Sequence, residues 1–154
     1  MLTNTACNTK FISMISMNKQ QMRSERFFGS HAVFRTEEFH RLCGGKAKRG
    51  SVANLLHYFV RRGRLLPVCR GVYSVVPPGQ KAAGYAPNRY LVASVLHSDG
   101  VLAYHSALEV LGHAHAVSNV VYSLGPEPAR ETEWNKYTFR RFGYPSPLLR
   151  TGGD

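Results

Sequence analysis

Two groups of residues in this 154-residue chain have the types and positions to do chemistry. The first is cationic. Lys46, Lys48, Arg49, Arg61, Arg64 and Arg70 fall within one stretch, Gly44 to Val76, that holds seven Lys or Arg and no Asp or Glu. Lysine and arginine at such density neutralise phosphates, and this positions a protein on a polyanion without reading its sequence. Ser51, Asn54, His57 and Tyr58 lie among those cations. An asparagine amide can donate and accept in one plane and so pair bidentately with adenine, which makes Asn54 the candidate for base reading. The second group is His97, His105, His113 and His115. His113-x-His115 could offer two ligands to a metal, with Asp99 and Glu109 nearby, but no recognised zinc spacing is present.

An enzyme needs more than these side chains. Ser106 follows His105 directly, and neighbours on a helix point in different directions, so they cannot form a hydrogen-bonded nucleophile and base. The chain has no G-x-S-x-G, phosphate loop or dinucleotide fingerprint, so no catalytic residue, metal or cofactor is expected. Cys7, Cys43 and Cys69 are odd in number and include no C-x-x-C pair, which argues against a disulfide framework and fits a reducing cytoplasm. Apolar runs fall well short of the ~20 residues of a membrane span.

The elements that must position the first group can be read from periodicity. Val52, Leu55, Leu56, Phe59 and Val60 recur at helical spacing and predict an amphipathic helix, with Asn54, His57, Tyr58 and Arg61 on its other face. Arg62 sits at the edge of the apolar stripe and is left out of the candidate surface. Gly63 predicts the helix stop. Leu65–Val68 and Val72–Val76 are β-prone runs around Cys69-Arg70-Gly71, a hairpin with Arg70 at its tip. Upstream, residues 18–28 predict a first helix. Thr36 is a candidate N-cap for a second, with Glu37 and Glu38 in its first turn and Gly44-Gly45 at its end. Helix, short strand, helix, turn, helix and hairpin are the parts of a winged helix-turn-helix.

The fold class expected is therefore α+β, an N-terminal winged helix-turn-helix followed by a small, incomplete α/β segment. The expected divisions are a leader over 1–17, a DNA-binding domain over 18–78, a linker over 79–87 and a partial C-terminal domain over 88–154. In that last part Asn88 caps a helix, Asp99-Gly100 turns the chain, and a further helix ends at Gly112. Val117–Leu124 and Tyr137–Phe142 read as strands separated by a loop containing proline and glutamate. Two helices and two strands make a thin core, so this part either is incomplete or packs on the first.

The charge balance points to the partner. Twenty Lys and Arg against nine Asp and Glu give a net charge of +11, and no acidic residue lies between Glu38 and Asp99, where ten Lys or Arg do. Signs segregated in this way suit a phosphate-facing surface. Double-stranded DNA is the expected partner and a membrane is not. The alternative is a protein-interaction module that uses the basic winged-helix scaffold without binding DNA.

At this point a family resemblance can be stated on particular residues. Gly63-Arg64-Leu65-Leu66, Arg70-Gly71-Val72-Tyr73 and Val76-Pro77-Pro78-Gly79 resemble the wing of AbiEi-type antitoxins of type IV toxin–antitoxin systems. Tyr90-Leu91-Val92-Ala93, Val101–Glu109 and Gly112 resemble the family's next block. The resemblance covers residues 31–142. It implies a winged helix that binds its own promoter and represses its operon, and a C-terminal domain that counters a nucleotidyltransferase toxin encoded nearby. Members of the family run on past the point where this chain stops, so a C-terminally truncated copy is expected. No dimer interface is legible.

Overall fold

The computed structural model describes residues 21–44 and 49–144. The expected leader, the start of the first helix at 18–20, and Lys46 and Lys48 lie outside the described residues. The described residues are mixed α and β, with two sheets. Helix α1 occupies residues 21–30. Strand β1 (Val33–Arg35) leads directly into α2 (Thr36–Leu42), and α3 (Arg49–Arg61) follows. The hairpin β2 (Leu65–Cys69) and β3 (Val72–Val75) completes a three-stranded antiparallel sheet in the order β1-β3-β2. This is the winged helix-turn-helix order that the periodicity predicts.

Local chemistry explains the boundaries. Gly63 has φ +67° and stops α3, with the Gly63 and Arg64 amides donating to the carbonyls of Val60 and Phe59. The N-cap of α2 is Arg35 and not Thr36. Because β1 runs straight into the helix, the Glu38 carboxylate reaches back 2.7 Å to the Arg35 amide. Thr36 becomes the first helical residue. Its amide and hydroxyl both donate to the Gly71 carbonyl in the hairpin turn, at 2.8 and 3.2 Å.

The three-stranded sheet has two apolar faces, because successive residues point to opposite sides. Phe34, Val75 and Leu65 join Phe27, Phe28, Phe39, Val52, Leu56 and Phe59 in one core. Its phenylalanines interlock, with Phe28 edge-on to Phe59 at 4.9 Å and Phe27 edge-on to Phe34 at 5.0 Å. Val33, Val68 and Val72 face the other way and pack with Val92, Ala93, Val121 and Phe139 of the C-terminal part. The sheet is thus a middle layer, and the C-terminal part packs on the first.

That C-terminal part comprises α4 (Arg89–Leu96), β4 (Val101–Leu102), α5 (Tyr104–Val110), β5 (Val120–Gly125), β6 (Arg130–Trp134) and β7 (Tyr137–Gly143). Asn88 caps α4 through its side-chain oxygen, 2.9 Å from the Tyr90 amide. The strands form a four-stranded sheet in the order β4-β5-β7-β6, with β5 and β7 parallel. Two strands correct the sequence reading. Arg130–Trp134 is not loop: it pairs with β7 across a two-residue turn at Asn135 (φ +56°) and Lys136. Its Glu-Thr-Glu alternation is that of a charged edge strand, which looks like loop in composition. Val101–Leu102 is the other, too short to show periodicity.

Polar bonds also cross between the two parts. The Arg35 guanidinium donates to the carbonyls of Val95 and Leu96, both at 3.0 Å, at the end of α4. Trp134 Nε1 donates to the Pro67 carbonyl at 3.1 Å.

Candidate nucleic-acid interface

Helix α3 buries Val52, Leu56 and Phe59 against the aromatic core. At about 100° per residue, this places Asn54, His57 and Arg61 on the opposite side, one below the next at i, i+3 and i+7. All three are exposed. Ser51 and Arg49 are exposed at the N-terminal end of the same helix. A surface of amide, imidazole and guanidinium groups along one helix face can hydrogen-bond to base edges and phosphates at once.

Tyr58 is half-buried, and its ring lies edge-on to Phe59 at 5.3 Å while the Arg62 guanidinium sits 5.0 Å over it. It therefore borders the outer face, with its ring committed to the core. Arg62 is exposed beside it. Arg64 is used differently. Its Nη1 donates to the Val76 carbonyl at 2.7 Å and its Nη2 pairs with Glu25 at 2.5 Å, so it fastens α1 to the base of the hairpin. Arg70 is exposed in the turn, next to Gly71 at φ +81°, a conformation that favours glycine. The five residues of β2 carry it roughly 16 Å beyond Leu65. The structure thus brings Asn54, His57 and Arg61 together with Ser51 and Arg49 on one helix, and holds Arg70 apart at the hairpin turn.

His105 and Ser106 have local structural uses, while His113 and His115 are exposed. His105 Nε2 contacts the Ala116 carbonyl at 2.8 Å, and Ser106 Oγ accepts from the Tyr122 amide at 2.9 Å. The buried Glu109 carboxylate accepts from Tyr90 Oη at 2.6 Å, the Ser118 amide at 2.6 Å and Arg89 at 3.2 Å. Burial opposes its ionisation, but the bonds from Tyr90 and Ser118 and the Arg89 charge outweigh it and hold the carboxyl below its ordinary range. Among the described residues there is no group of three or more His, Cys, Asp or Glu able to hold a metal ion, and no helix long and apolar enough to cross a membrane.

One buried residue, Arg141, was missed from sequence. Arg141 is 3% exposed on the inward side of β7 and pairs with Asp99 at 2.7 Å and Glu127 at 3.3 Å. His97, also 3% exposed, shares a 2.6 Å hydrogen bond with Ser123 Oγ. The signal was available for Arg141: in the strand 137–143 it follows buried Phe139 by two, the period that selects one face.

Residues 22–76 match the family model described as transcriptional regulator, AbiEi antitoxin. That segment contains α2, α3 and the hairpin, and the family it matches is one of regulators and not of enzymes. The comparison with curated proteins finds no match.

Proposed function

We propose that the AbiEi-type regulator segment at residues 22–76 binds double-stranded DNA, with α3 in the major groove, and that the protein represses its own promoter as the antitoxin of a type IV system. The observation that carries this reading is the exposed row Asn54, His57 and Arg61 set opposite the buried Val52, Leu56 and Phe59 on the second helix of the helix-turn-helix. Asn54 reads a base, Arg49 and Arg61 contact phosphates, and Arg70 reaches the flanking backbone. Lys46 and Lys48 add phosphate contacts ahead of α3. The nucleotidyltransferase toxin of such a system, encoded nearby, is the proposed target of the antitoxin activity.

Gel shifts against native upstream DNA and random duplex at two salt concentrations test this. Binding is expected to weaken with salt by about one log–log unit per phosphate contact. Arg70→Ala should lower affinity for every duplex alike. Asn54→Ala should relax preference at one base pair by about 1–3 kcal/mol. An Asn54→Ala protein that keeps the wild-type ranking of operator variants removes the base-reading role. Failure to bind any duplex at low salt leaves the basic face as a docking surface for an acidic protein.

A further inference from the structure

Between α2 and the C-terminal part lies an open cleft of about 700 Å³ that the DNA reading does not use. One wall is α2, with Glu37 and Arg41, and the other is the end of α4 with Arg130 of β6 and Arg141 of β7. Formal charges in the lining cancel, but the hydrogen-bonding capacity does not. Asp99 and Glu127 are taken by Arg141, and Glu38 is taken by the Arg35 amide. Arg41 and Arg130 are exposed, and among the described residues no hydrogen bond or ion pair holds either guanidinium. Glu37 is likewise without a partner, and Asp99 and Glu127 share the one charge of Arg141, so among the described residues the groups of the cleft left wholly unpaired are two guanidiniums and one carboxylate.

Its buried lining agrees. Arg141 Nε and His97 Nε2 are buried and have no hydrogen-bond partner among the described residues, and both residues, 3% exposed, line the cleft. A buried polar nitrogen left without a partner costs free energy, and functional sites are one of the places where that cost is retained.

We propose that this cleft binds a small anion carrying phosphate or carboxylate groups, clasped by Arg41 from α2 and Arg130 from β6. Guanidinium groups form paired, charge-assisted bonds to either group. A ligand held in this way spans the helix-turn-helix and the C-terminal sheet, and stabilises the arrangement in which the two parts meet. The site is separate from the α3 face, and it stands or falls independently of DNA binding.

The test uses the full chain with inorganic pyrophosphate and citrate as probes, titrated at constant ionic strength and read by calorimetry and by melting temperature. Saturable binding of one probe or both is expected, and the responding probe tells phosphate from carboxylate recognition. The double variant Arg41→Gln/Arg130→Gln should bind at least ~10-fold more weakly, since two charge-assisted bonds are lost. Its melting temperature without probe should be unchanged, because neither side chain is paired. Arg70→Gln should bind within about two-fold of wild type, and Glu37→Gln should bind more tightly as the opposing carboxylate is removed. Absence of saturation by both probes overturns the proposal. Equal weakening by Arg70→Gln does so too, because it means diffuse attraction to a basic protein.

Discussion

At Gly125, on β5, a β-carbon would lie 2.7 Å from Arg141 Nη2 and 3.0 Å from Cζ. The obstacle is a guanidinium that is 3% exposed and held by two carboxylates, so it cannot swing aside as a free arginine would. Gly125→Ala is therefore expected to destabilise by about 1–3 kcal/mol, the usual cost of overpacking. Gly29→Ala serves as a control, since a β-carbon there meets nothing within 4 Å. Urea midpoints of the two variants check this. His97 supplies the second residue-scale prediction. Burial and the nearby Arg141 guanidinium push its imidazole below the ordinary value of 6.5. As pH falls through that value the unfolded chain takes up the proton before the native one does, so stability is present above it and declines below it. The urea midpoint should fall between about pH 7.5 and about pH 5.5, and His97→Gln, which can still bond Ser123 but does not titrate there, should flatten this slope. A slope identical in His97→Gln would assign the loss to other groups.

At the scale of elements, the middle sheet decides what can stand alone. Val33, Val68 and Val72 are 8%, 6% and 3% exposed only because α4, β5 and β7 cover them. Fully burying an aliphatic side chain is worth about 1.5–3 kcal/mol, and a whole domain is stable by only about 5–15. A fragment of residues 18–78 should therefore melt far below the full chain and bind a hydrophobic dye, and a fragment as stable as the full chain would contradict this packing. These elements were legible to different degrees. The α3 stripe, the Gly63 stop and the two hairpin runs were plain because periodicity and turn glycines are local signals. Strand β6 was not, since Arg130-Glu131-Thr132-Glu133-Trp134 takes its strand character from pairing with β7 and not from hydropathy. The α2 cap was read one residue late, because Thr36 has the side chain of a cap but Arg35 has the position. Of the candidate surface, exposure of Asn54, His57 and Arg61 followed from helix period alone. That Arg64 is tied to Glu25 and Val76 could not, because those partners lie 39 and 12 residues away.

For the whole molecule, one shared layer between two cores predicts one unfolding event. The aromatic core and the valine-rich core meet in the same three strands, so losing either exposes the back of the other. Calorimetry of the full chain should give a single transition with equal calorimetric and van't Hoff enthalpies. Phe139→Ala, at a position with no exposure in the C-terminal sheet, should lower that transition by about 3–5 kcal/mol without splitting it. Two resolved peaks would mean that the cores melt separately.

The chain has one tryptophan, and its indole N–H is spent on the Pro67 carbonyl, 67 residues away and on the other side of the seam. Its emission is thus a native gauge of that junction: closed, the ring is bonded to the hairpin backbone; parted, it is bonded to water. Every solution of the unlabelled protein reports on whether its halves are still joined.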